Sequence, residues 1–280
     1  MLVSLKKLLS EAKEKKFAVG AFNCPNLETI TAVIKSAEEI QCPVILSHAE
    51  IHNSMIPIEI IAPIMLDIAR KAMVPVCVHL DHSTSFEMCL KAIRLGFCSV
   101  MYDASGYDFE TNVAQTEEMV RIAHSSGVSV EAELGQIFSS ENSKKWKAVN
   151  SIYTNPGVAK NFVESTKVDA LAISFGTSQG FYKTKPVLDL NRIRQIKQAI
   201  NIPLIMHGSN CLAKGEVAGG LTKINYYTYM PLAGGHEIIT RLAGTSPNDT
   251  FYYHDIPIWA AEAMSKNLKD AIRVFSIKEA

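Results

Sequence analysis

The chain has 280 residues, and 28 lysines and arginines balance 28 aspartates and glutamates, so its formal net charge is zero. A nucleic-acid binder needs a net or clustered basic surface and a disordered chain lacks apolar mass; with 48% hydrophobic and 20% charged residues this sequence fits neither. The length allows one (β/α)₈ barrel, which takes roughly 250 residues, or a two-domain arrangement.

Leu5, Leu8, Leu9 and Ala12 recur at helical spacing and predict a short amphipathic helix, and residues 18–22 follow as a buried apolar strand. The turn-rich Asn23-Cys-Pro-Asn26 comes next, with Asn26 placed to cap a helix carrying Ile30, Val33, Ile34, Ala37 and Ile40. Further strands are expected at 44–46, 76–80, 99–103, 129–133, 170–175, 203–206 and 223–226, with helical patterns between most of them. Together with 18–22 that makes eight. The runs read as continuously apolar, as in parallel strands covered on both faces, and the βα alternation predicts a closed TIM barrel as a single domain over 1–280. A polar segment at 139–150 would overhang the barrel after the fifth strand. After the eighth strand we expect a glycine-rich turn at Ala233-Gly-Gly235, a helix, and an extra C-terminal helix over 257–275.

The six cysteines form no C-x-x-C pair and mostly lie in apolar runs, which reads as reduced core thiols. The charged N-terminus does not resemble a signal peptide, and no stretch reaches the roughly 18 apolar residues of a membrane span. A cytoplasmic protein with neither membrane nor nucleic-acid partners is expected.

In a barrel of this kind the active site lies at the C-terminal strand ends, and here those ends are polar. They carry Asn23; Ser47 and His48; His79, Asp81 and His82; Asp103; Glu131 and Glu133; Gln179 and Lys183; His207; and Asn225 with Thr228. His82, His207, Asp103 and Glu133 are ligand types for a divalent ion such as Zn²⁺, and Asp81 beside an ion suits a proton donor or acceptor. The blander alternative for Asp103 and Glu133 is hydrogen bonding within the barrel rim. His207-Gly-Ser-Asn210 and the stretch from Asn225 to Thr228 bring small residues, exposed N–H groups and hydroxyls to the loops where barrels often hold phosphate, and Lys183 adds a charge.

Seven motifs follow one another along the chain: Val74-Pro-Val-Cys-Val-His-Leu-Asp-His82, Val130-Glu-Ala-Glu-Leu-Gly135, Tyr153-Thr-Asn-Pro156, Val168-Asp-Ala-Leu-Ala172, Gly176-Thr177, Pro203-Leu-Ile-Met-His-Gly208 and Lys223-Ile-Asn225. In register, they resemble the class II (metal-dependent) fructose- and tagatose-bisphosphate aldolases. The resemblance implies a Zn²⁺-dependent carbon–carbon lyase that cleaves a ketose phosphate or bisphosphate to dihydroxyacetone phosphate and an aldehyde, as a homodimer or homotetramer. It implies His82 and His207 as zinc ligands, Asp81 as the group exchanging a proton with the C4 hydroxyl, and Asp103 with Glu133 at an alternate metal position. Asn225 would meet the enediolate, and Gly180, Lys183, Gly208, Ser209 and Thr228 would surround the phosphate.

The sequence also departs from the pattern. Gln179 stands where the family carries its third zinc histidine, His207-Gly-Ser-Asn-Cys211 replaces a glycine-richer loop, and Glu141 is the acid nearest the family's acidic loop after strand five. These departures leave open a catalytically impaired homologue that binds a sugar phosphate or supports a partner subunit.

Overall fold

The computed structural model describes residues 1–135, 153–177, 186–208, 220–246 and 250–276. Within them the strands are β1 Val19–Asn23, β2 Val44–Ala49, β3 Val76–Ser83, β4 Ser99–Tyr102, β5 Ser129–Leu134, β6 Ala170–Ile173, β7 Leu204–Met206 and β8 Lys223–Tyr226. Each pairs in parallel with its neighbours in sequence and β8 closes on β1, which makes the eight-stranded (β/α)₈ barrel.

The helices around it are α1 Leu5–Glu14, α2 Leu27–Glu39, α3 Ile58–Lys71, α4 Phe86–Leu95, α5 Phe109–Ser125, α6 Pro156–Thr166, α7 Leu190–Ala199, α8 Tyr229–Ala243 and α9 Asp255–Phe275. Their starts obey the capping chemistry of the sequence. Asn26 caps α2 in a reciprocal capping box with Thr29, and Asn155 precedes Pro156, whose missing N–H is harmless at the first helical position.

Two apolar layers hold the barrel. Outside it, α2 to α9 pack on the outward side chains of the strands, for example Phe22, Leu46, Val78, Leu80 and Val100. Inside its lower half, Val19, Ala21, Ile45, Cys77, Ala170, Ala172 and Ile205 meet Leu5, Leu8, Leu9 and Ala12 of α1. The first helix therefore plugs the N-terminal end of the barrel, which leaves the C-terminal end as the mouth.

One expectation fails. Ala233-Gly-Gly235 is no turn but lies inside α8. A Cβ on Gly234 would come within 3.2 Å of Met264 and 3.3 Å of Ala260, so the glycine lets α8 approach α9 closely. The C-terminal helix α9 starts two residues before the expected 257 and packs on α2, where Ser36 and Ser265 hydroxyls lie 2.8 Å apart. The expected overhang at 139–150 lies outside the described residues.

Candidate metal and catalytic site

The upper halves of the strands alternate. Along β3 the outward residues are Val76, Val78 and Leu80, while Cys77, His79 and Asp81 face the lumen, and β5 turns Glu131 and Glu133 the same way. Lys223 of β8 hydrogen-bonds Glu131 of β5 at 2.7 Å, and these strands are not neighbours, so the contact crosses the lumen.

Strict alternation would point His82 outward. Instead the β3–β4 register shifts between Leu80 and Ser83, and His82 adopts a left-handed backbone with φ of 42°. That conformation is uncommon for a residue with a side chain and marks a bulge that re-aims it. The ring swings over the mouth, where its Nε2 meets Nδ1 of His207 at 2.6 Å and its Nδ1 meets Oδ2 of Asp103 at 3.1 Å. Asp103 also accepts from the N–H and hydroxyl of Ser105.

Asp81 lies beside these rings, and single donor atoms of Asp81, His82 and His207 fall within 4.8 Å of one another. Its two oxygens accept from the side-chain amides of Asn23 at 2.8 Å and Asn225 at 2.9 Å. Burial pushes the Asp81 carboxyl up, but the positive charges of His82 and Lys223 outweigh it and hold the group far below the usual carboxylate range. Glu133 completes the cluster, with its Oε2 3.6 Å from Nδ1 of His207, buried and without a hydrogen-bond partner among the described residues. Burial and the neighbouring Asp103 raise this carboxyl to about 8.

His82 is also shifted upward. Burial lowers it, but Asp81 and the bond to Asp103 overcome that and lift it to about 9. The hydrogen bonds agree: the Asp103 carboxylate accepts at Nδ1, and His207, whose Nε2 donates to Glu131 Oε1 at 3.0 Å, has only an accepting Nδ1 to offer His82. Both His82 nitrogens donate, so the ring is an imidazolium.

Of the residues singled out in the sequence, Asp81, His82, Asp103, Glu133 and His207 come together, and Asn225 joins them through Asp81. Gly208 follows with φ of 71°, a backbone that favours glycine. Thr228 opens α8 without a side-chain capping bond. Gln179, Gly180, Lys183, Ser209 and Glu141 lie outside the described residues. Ser47 and His48 are fully buried, with no hydrogen-bond partner among the described residues for the hydroxyl or either ring nitrogen, and burial pushes His48 down to about 4. The sequence reading named Asn23, His79 and Glu131 without a role and passed over Lys223. The signal for all of them is a polar residue at every second position in the upper half of a strand.

A parallel barrel with ionised carboxylates and imidazoles gathered at its C-terminal mouth is the arrangement of a TIM-barrel enzyme. Residues 3–280 match the family described as fructose-bisphosphate aldolase class-II, and the chain belongs to that family of aldolase lyases. Among solved structures it is similar to the YdjI aldolase of Escherichia coli K12, at 30% identity and a TM-score of 0.86, covering 98% of this chain and 97% of that one. It shares the fold of a fructose-bisphosphate aldolase from Campylobacter jejuni, at 21% identity and a TM-score of 0.81, covering 98% and 95%.

Proposed function

We propose that this chain is a divalent-metal-dependent aldolase that reversibly cleaves a ketose phosphate to dihydroxyacetone phosphate and an aldehyde. The observation that carries this is the convergence of an ionised carboxylate, Asp81, with the ring nitrogens of His82 and His207 at one mouth.

The residues fit a metal. Two imidazole nitrogens and the orphaned Oε2 of Glu133 are a nitrogen and oxygen donor set of the kind Zn²⁺ takes, so His82, His207 and Glu133 would hold the ion. Asp103 and Glu131 then fix the far nitrogens of the two rings, as outer carboxylates do for metal-ligating histidines. A bound ion of this kind polarises the substrate carbonyl and steadies the enediolate.

The chain's own groups do the rest. Asp81, clamped by two amides and ionised, accepts the C4 hydroxyl proton as the C3–C4 bond breaks, and returns it in condensation. Gly208 and Thr228, whose hydroxyl makes no capping bond at the start of α8, support a phosphate between strands seven and eight. Lys183, Gly180 and Ser209 belong to the same proposal from the sequence, Gln179 to the metal, and Glu141 to protonation of the enediolate carbon.

The metal-free site holds two protons that an ion must displace. His82 keeps its proton to about pH 9 and Glu133 to about pH 8, whereas His207 is pushed down by burial and the His82 charge. At pH 7, capture of Zn²⁺ is expected to release about two protons, and affinity to fall as pH is lowered. Calorimetric titration in buffers of different ionisation enthalpy measures this. Zinc uptake with no proton release would place the ion elsewhere.

A second copy of the chain is the proposed partner. Ile239 of α8, 68% exposed, and Tyr253, 84% exposed just before α9, are apolar groups that a subunit contact would cover. Sedimentation should give a dimer or tetramer, and a monomer at micromolar concentration would contradict it.

A further inference from the structure

A hydrogen-bonded chain crosses the barrel beneath the mouth. Ser99 Oγ lies 2.8 Å from His79 Nδ1, His79 Nε2 lies 3.4 Å from Lys223 Nζ, and Lys223 donates to Glu131 Oε2 at 2.7 Å. Glu131 Oε1 then accepts from His207 Nε2 at 3.0 Å, and His207 Nδ1 faces His82. His79, Glu131 and Lys223 have no exposed surface, so no water relieves a missing partner.

Each end of this chain constrains the next. A carboxylate only accepts, so Glu131 obliges His207 to carry its proton on Nε2. Lys223 only donates, so it obliges the neighbouring Glu131 oxygen to accept. His79, Asp81 and Glu131 alone are a cluster that could take a cation, and the Lys223 ammonium lies against two of its members, His79 and Glu131.

We propose that Glu131 and Lys223 are positioning residues which lock His207 in the tautomer that presents its Nδ1 lone pair to the metal. Lys223 touches neither ion nor substrate and acts through Glu131. The inference rests on the metal-site reading above, and it explains why a barrel active site carries a fully buried lysine and glutamate under its ligands.

Glu131→Gln tests it, because an amide must choose. With Lys223 present, the glutamine oxygen turns to the ammonium and its NH₂ group to His207, which reverses the tautomer. In the double variant Glu131→Gln with Lys223→Met the oxygen is released and can accept from His207 again. Zinc affinity by chelator competition is expected to fall about 10–100-fold in Glu131→Gln and to recover at least partly in the double variant. Nitrogen-15 NMR of the metal-free proteins should show the His207 proton on Nε2 in the wild type and double variant, and on Nδ1 in Glu131→Gln. A purely structural ion pair predicts no recovery of affinity and no change of tautomer, and either result overturns the proposal. Far-UV circular dichroism confirms that each variant folds, and the His207 tautomer of the wild type tests the proposal even if Glu131→Gln does not. His207→Ala separates the two claims. If it loses zinc while Glu131→Gln keeps it, the positioning role falls and the metal site stands. If both keep it, the metal site falls too.

Discussion

Asp81→Asn should lower kcat by about 10²–10⁴-fold while leaving fold and metal content nearly intact, the range typical for removal of a general acid or base. The substitution keeps the shape of the side chain and removes its ability to take a proton. Asp81 lies beside the rings of His82 and His207, but both its oxygens are engaged by Asn23 and Asn225 and the proposed ligands are His82, His207 and Glu133, so the ion should remain. Its oxygens are held by Asn23 and Asn225, and one of those amides must turn to accommodate the new NH₂ group. Steady-state kinetics with metal analysis of the same sample check this. Unchanged kcat would remove Asp81 from the chemistry, and loss of metal would make it a ligand instead.

The second large effect is on stability. Lys223→Met leaves the fully buried Glu131 carboxylate without its ammonium, and breaking a buried pair on one side costs about 3–5 kcal/mol. For a chain of this size that is a fall in Tm on the order of 10 °C. Burial pushes the Glu131 carboxyl up, but Lys223 and His207 hold it at about 2, so the carboxylate stays ionised at every pH where the protein is handled. Protonation therefore offers no relief while the pair is intact. The double variant with Glu131→Gln removes both charges and should recover most of the loss. Thermal melts of the three proteins decide it. A Lys223→Met protein as stable as wild type would mean that the pair is solvated or replaceable.

Most of the barrel could be read from the sequence, because the βα alternation and the apolar strand runs are local signals. All eight strands lie where periodicity puts them, with no end displaced by more than three residues. The glycines of α8 misled because a glycine used for close helix packing looks like a turn residue until its neighbour on α9 is known. The expectation of continuously apolar strands held only below the mouth. Above it, His79 and Asp81, Glu131 and Glu133, and Lys223 and Asn225 alternate with apolar residues, a two-residue period hidden by the short length of each run. The aim of His82 was out of reach, since it depends on a bulge and a positive φ that β4 enforces through register. The lumen chain from Ser99 to His207 was equally hidden, because its members come from strands distant in sequence that meet only when the barrel closes.

Release of triose phosphate reads metal-dependent aldol cleavage without an intermediary. Zinc-loaded protein is incubated with a series of ketose 1-phosphates and 1,6-bisphosphates, and dihydroxyacetone phosphate is followed by coupled reduction, before and after chelation. At least one of these substrates should yield dihydroxyacetone phosphate, the release should stop when the metal is removed, and it should return when Zn²⁺ is restored. No release from any of them by fully metal-loaded protein, or release that chelation leaves untouched, would contradict the account.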